Sequence, residues 1–182
     1  MDDVREAERQ AENAQKAREA ADQLFPDEKW ITVEDGIYLS PRRPVGKNSN
    51  YKDELRDAQI LRNSGSTVYL VPESSRQAGK KYDAIVNGMK MEFKDISGNT
   101  NTLEHQFLRS RLQASNVFIN LEKSNLTKRE IMSTLYGARN KPETETSRGY
   151  AYYNRFEGGS IILKIRGQED LLYLNIDGLK PP

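Results

Sequence analysis

Residues 82–96 read YDAIVNGMKMEFKDI. Two apolar runs, Tyr82–Val86 and Met89–Ile96, flank Asn87-Gly88. Asn-Gly between such runs predicts a two-residue hairpin, because both central positions of a type I′ turn need positive φ, which Asn and Gly tolerate. The turn also sets the register. Val86 faces Met89, and counting outward puts Asp83 opposite Glu92. Glu92 and Lys94 are two apart and share one face of the strand, while Met91 and Phe93 point the other way, into a core.

Upstream of the hairpin, Tyr51–Arg62 carries Leu55, Ala58, Ile60 and Leu61, contains no Gly or Pro, and stops before Gly65; it reads as a helix. Residues 67–71, TVYLV, form a continuous apolar run closed by Pro72, the pattern of a strand buried on both faces. Residues 73–81 are a polar loop holding Arg76, Lys80 and Lys81. Downstream, the loop SGNTN (97–101) leads into a predicted helix from Thr102 to Ser115, with Asn101 and Glu104 as a capping box and Leu103, Phe107 and Ala114 inward. NVFINL (116–121) is a second buried-type strand. From residue 51 the order is helix, strand, strand, strand, helix, strand. This αβββαβ core implies an α/β (α+β) fold with a mixed central sheet.

Residues 30–40, WITVEDGIYLS, predict another hairpin across Asp35-Gly36, followed by the loop PRRPVGKNSN with Arg42, Arg43 and Lys47. Residues 4–25 predict a helix in which Val4, Ala7, Ala11, Ala14, Ala21 and Leu24 form a narrow stripe. Two readings stand for it: a solvated arm or coiled-coil seam, open to self-association, or a helix packed on its own domain. Thr127 and Glu130 form a second capping-box pattern before a helix ending near Gly137. Residues 138–158 are polar and irregular and hold Tyr150, Tyr152, Tyr153 and Arg155, an aromatic-basic cluster able to stack on bases. Ser160–Arg166 and Leu171–Ile176 read as C-terminal strands. The expected organisation is an N-terminal helical arm or linker, 1–26, and one domain, 27–182, with its core at 51–121 and an extension at 122–182.

Composition narrows the chemistry. The 182 residues include no Cys and one His, His105, so thiol nucleophiles, cysteine-ligated metals and two-histidine sites are excluded. No window approaches the ~18 consecutive apolar residues of a membrane span. The start, MDDVREAERQ, is acidic and lacks the apolar segment of a secretory signal. The net charge of +1 is the sum of −4 over residues 1–30 and +5 over 31–182, so an acidic segment precedes a basic body compatible with a polyanionic substrate.

Two carboxylates directly opposite each other repel unless a cation lies between them. A divalent metal resolves this: Mg²⁺ takes oxygen ligands, commonly one or two carboxylates plus phosphate oxygens. Lys94 beside it can orient water or offset charge at phosphorus. Glu54, on the preceding helix, completes the candidate set, with Asp53 and Asp57 as weaker substitutes.

Asp83, an eight-residue gap and Glu92-Phe93-Lys94, inside the αβββαβ order, resemble the PD-(D/E)xK nuclease superfamily, whose core is restriction-endonuclease-like. Tyr82 stands where the motif has Pro. The run KKYDAIVNGMKMEFKDISGNTNTLEHQFLRSRLQASNVFINLE is most similar to C-terminal nuclease domains of contact-dependent growth inhibition and other polymorphic toxins, and to prophage proteins. The resemblance implies a bacterial or phage-encoded, metal-dependent endonuclease. Asp83, Glu92 and Glu54 would be its ligands and Lys94 catalytic. Mg²⁺ is the expected metal, with Mn²⁺ or Zn²⁺ as alternatives. The resemblance also implies a DNA or tRNA/RNA substrate, a cognate immunity protein, and action in the cytoplasm after delivery within a larger protein.

Candidate substrate contacts are Arg109, Arg111 and Gln113 on the following helix, Lys81 before the hairpin and Ser97 after it. Two other readings remain: a metal-independent ribonuclease of the barnase or colicin type using His105, and a non-catalytic nucleic-acid or protein-binding module on a degenerate nuclease fold.

Overall fold

The Asn87-Gly88 turn forms with both residues at positive φ, 49° and 86°. Its register is Val86↔Met89, Ile85↔Lys90 and Ala84↔Met91, as counted from the turn. The structure is a computed structural model and describes residues 2–47, 49–72, 82–111, 113–141 and 158–181. The basic loop 73–81 and the Tyr150–Arg155 cluster lie outside the described residues.

The elements, in chain order, are α1 (Asp2–Leu24), β1 (Ile31–Glu34), β2 (Ile37–Leu39), α2 (Tyr51–Asn63), β3 (Val68–Leu70), β4 (Ala84–Val86), β5 (Met89–Asp95), α3 (Thr100–Ser110), β6 (Asn116–Leu121), α4 (Lys128–Arg139), β7 (Ser160–Ile165) and β8 (Leu172–Asn175). This is an α/β fold, and the expected αβββαβ order runs from α2 to β6. The chain divides into two units, Met1–Met91 and Glu92–Pro182, the boundary falling inside β5.

In the first unit the strand order is β1-β2-β3-β4-β5. β2 and β3 are parallel, and α2 supplies the crossover that parallel neighbours require; the other pairs are antiparallel. β3 is buried along its whole length, as an unbroken apolar run demands. Tyr69 and Val71 share a face with Ile85 and pack on Ala17 and Ala21 of α1, while α2 lies against β2 and β3 with Ala58 and Leu61 fully buried. Trp30 meets Tyr69 edge-on at 5.0 Å, and Tyr38 stacks on Tyr69 at 4.5 Å. Burial raises the Tyr69 phenol to about 12.

Of the two readings of the N-terminal helix, the packed one is observed, with Ala21 alone of the expected stripe buried. Ala17 and Ala21 are buried, Asn13 donates to the Gly65 carbonyl at 3.1 Å, and Val4, Ala7, Ala11, Ala14 and Leu24 are exposed. Gly88 lets the hairpin tip approach α1, since a Cβ there would stand 3.1 Å from the Lys16 carbonyl.

In the second unit β6 and β7 are parallel and β8 is antiparallel to β7. The Ile96 amide, just past β5, donates to the Asn120 carbonyl of β6 at 2.8 Å. Leu103 and Phe107 of α3 and Ile131, Leu135 and Ala138 of α4 pack with Val117, Ile119, Leu121, Ile161, Leu163 and Ile165. The N-cap of α3 is Asn99, accepting from the Thr102 amide at 3.2 Å, in place of the expected Asn101. Glu104, the expected partner in that box, pairs with Lys141. The helix also ends earlier than expected, at Ser110, whose hydroxyl donates to the Phe107 carbonyl at 2.6 Å.

The Thr127–Glu130 box forms in both directions, with the Thr127 amide donating to Glu130 at 2.8 Å and the Glu130 amide to the Thr127 hydroxyl at 3.3 Å. Thr127→Ala should cost about 1 kcal/mol in urea unfolding. No helix among the described residues is long and apolar enough to cross a membrane.

Candidate functional site

Asp83 sits directly before β4, its backbone held on both sides. Its amide donates to the Met91 carbonyl at 3.0 Å and its carbonyl accepts from the Val71 amide at 3.1 Å. Glu54 lies in the first turn of α2 and is 8% exposed. Between them reaches Arg43, from the PRRP loop after β2, itself 4% exposed. Its Nε donates to Glu54 Oε2 at 2.9 Å, and its Nη2 lies 2.7 Å from the same oxygen. Its Nη1 donates to the Asp83 carbonyl at 3.1 Å and to the Val71 carbonyl. Nη2 also stands 3.6 Å from Asp83 Oδ1.

Asp57 is buried on the same helix, 3.9 Å from Arg56, which also pairs with the exposed Asp53 at 3.0 Å. A cation thus does lie among the carboxylates of this unit, but it is a guanidinium of the chain. Sequence reading assigned Arg43 only a share of loop charge. The pointer available was its place in a Pro-flanked pair shortly before the helix that carries Glu54.

In the second unit Glu92 and Lys94 share a face of β5, as their spacing requires. Glu92 is 2% exposed, although a charged side chain is seldom buried to that degree without a partner. The Lys94 ammonium pairs with Glu92 Oε1 and donates to Gln113 Oε1 at 3.3 Å. Phe93, on the opposite face, meets Phe118 edge-on at 5.7 Å.

The remaining candidates differ in setting. Arg109 on α3 and Ser97 in the loop after β5 are exposed, and so is His105. Arg111 donates to the Ser115 carbonyl and, at 3.2 Å, to the Gly158 carbonyl; burial pushes its guanidinium below its ordinary pKa. Lys81 lies outside the described residues. Among the described residues no three His, Asp or Glu side chains are grouped to hold a metal ion.

Residues 80–149 match the contact-dependent growth inhibition CdiA C-terminal domain. The match covers the hairpin, α3, β6 and α4, and bears out the resemblance to such toxin domains carried by the run from Lys80. The fold is similar to that of a chain in the CdiA-CT/CdiI toxin and immunity complex from Burkholderia pseudomallei, with a TM-score of 0.50 and 20% identity over 75% of this chain and 97% of that one. At that identity the likeness speaks for the fold. No curated protein matches the chain.

Proposed function

We propose that this chain is a nuclease toxin domain of a contact-dependent growth inhibition protein, hydrolysing phosphodiester bonds of DNA or tRNA/RNA with a divalent metal. The carrying observation is the match of residues 80–149 to the CdiA C-terminal domain, a stretch that holds Asp83, Glu92 and Lys94.

The candidate ligands Asp83, Glu92 and Glu54 are all carboxylates, hard oxygen donors that suit Mg²⁺ or Mn²⁺. Mg²⁺ needs only one or two of them beside phosphate and water oxygens, so a group of three is not required. When bound, the metal would supply activated water and Lewis-acid stabilisation at phosphorus. Lys94, oriented by Glu92 and Gln113, presents its ammonium to the charge that develops on the phosphoryl oxygens. Exposed Arg109 and Ser97 meet the flanking phosphates.

The family match supports delivery within a larger bacterial protein, and a nucleic-acid substrate calls for action in the cytoplasm. The structural neighbour, a toxin and immunity complex, supports a cognate immunity protein as partner. The exposed residues Val4, Ala7, Ala11, Ala14 and Leu24 of α1 are the surface for any self-association.

The test is cleavage of mixed DNA and tRNA by the purified chain in Mg²⁺, with and without EDTA, beside Asp83→Ala and Glu92→Ala. EDTA should stop cleavage, and each variant should fall by about 10³-fold or more. Mg²⁺-dependent cleavage retained by both variants would sink the site. EDTA-insensitive cleavage lost in His105→Ala would establish the ribonuclease reading, and binding without cleavage the non-catalytic one.

A further inference from the structure

Arg42 and Arg43 are neighbours with opposite fates. Arg42 turns outward, its side chain 63% exposed, and pairs with Glu28, whose carboxylate also accepts from the Ser40 hydroxyl at 2.8 Å. Burial alone would raise the Glu28 carboxyl, but hydrogen bonds from Arg42 and Ser40 hold it below its usual range. This clamp, and the Arg43 amide donating to the Ser40 carbonyl at 3.0 Å, fix the loop so that Arg43 turns inward.

There one planar fork spans four groups: the Glu54 carboxylate, the Val71 and Asp83 carbonyls, and the Asp83 carboxylate. The contact to Asp83 Oδ1, 3.6 Å, is too long for a hydrogen bond, so Arg43 acts on that side chain through charge while gripping its backbone. A lysine offers a point charge on a flexible stem and lacks the rigid fork that holds these groups in one plane.

We infer that Arg43 is the positioning residue of the proposed nuclease site, setting the Asp83 backbone and carboxylate and holding Glu54 against them. The inference rests on the nuclease reading. It gives Glu54 its place in the site through Arg43.

The test compares the wild-type chain, Asp83→Ala, Arg43→Lys, Glu54→Gln and the pair Arg43→Met/Glu54→Leu. Folding is followed by circular dichroism and thermal unfolding. Arg43→Lys should fold and lose about 10–100-fold in kcat with KM unchanged, on whichever nucleic acid the wild type cleaves. The Mn²⁺ concentration for half-saturation, read by electron paramagnetic resonance, should rise by about the same factor.

If Arg43→Lys does not fold, the paired variant, in which apolar side chains replace a buried ion pair and often preserve a fold, is compared with Glu54→Gln, because it also removes the candidate ligand Glu54. Its losses should exceed those of Glu54→Gln by about tenfold or more, and equal losses would overturn the role of Arg43. Wild-type kcat and Mn²⁺ half-saturation in a folded Arg43 variant, beside an inactive Asp83→Ala, would overturn the role of Arg43 alone. A wild-type chain that neither cleaves nor takes up Mn²⁺ would overturn the nuclease reading and this inference with it.

Discussion

Lys94→Ala should abolish nucleic-acid cleavage, a loss of about 10³-fold or more, and should also destabilise the chain. Both effects come from one ammonium. The Lys94 ammonium pairs with Glu92, which is 2% exposed, so deleting it leaves a buried carboxylate without that cation. Breaking one side of a buried pair costs about 3–5 kcal/mol, because the surviving charge keeps its desolvation penalty.

Stability and catalysis can be separated by removing both charges. Glu92→Gln with Lys94→Met should recover most of the stability in urea unfolding and remain inactive. Glu92→Gln alone keeps the ammonium and the Gln113 contact, and should unfold at a urea midpoint closer to wild type than Lys94→Ala does. Cleavage by Lys94→Ala within about tenfold of wild type would remove Lys94 from the proposed chemistry. Wild-type stability in that variant would show that Glu92 does not depend on it.

How much of this was legible in the sequence depended on whether a periodic pattern or a unique turn residue marked the position. The Asn87-Gly88 register needed no tertiary information, because only residues that tolerate positive φ fit there. TVYLV and NVFINL declared buried strands by having no polar face to expose.

The buried stripe of α1 was legible only at Ala21. Alanines at 7, 11, 14, 17, 20 and 21 surround the helix, and the choice among them is made by backbone approaches at Gly65 and Gly88. The cap of α3 was ambiguous for a local reason: Asn99 and Asn101 are equally good N-caps, and Glu104 favoured the wrong one until Lys141, distant in sequence, is seen to pair with it.

In the candidate site, the i, i+2 pairing of Glu92 and Lys94 follows from the pleat of a strand. The depth of Glu92 does not, since alternation predicts a face and not what covers it. Arg43 was the largest omission. Loops have no side-chain period, so nothing in PRRP distinguishes the arginine that turns inward from the one that turns out.

Phe107→Ala should destabilise the chain by about 3–5 kcal/mol, the cost of removing a buried aromatic ring. Phe107 is fully buried in α3, within the cluster shared by α4, β6 and β7. Its carbonyl also accepts from the Ser110 hydroxyl at 2.6 Å and the Arg111 amide at 3.3 Å, the bonds that end the helix. Those bonds to the main-chain carbonyl survive the substitution, so the loss is the transfer and cavity cost of the ring, and the turn moves as α3 settles into the space left.

That turn carries Gln113, which contacts Lys94 at 3.3 Å. Cleavage measured well below the unfolding midpoint should consequently fall in Phe107→Ala even though the folded population is intact. Phe107→Leu fills most of the space and should lose less of both. A variant that loses the expected stability and keeps full activity would show that Lys94 holds its place through Glu92 alone. In that event Gln113→Ala should also be silent in cleavage, which ties the packing of α3 to the site by a measurement made on either residue.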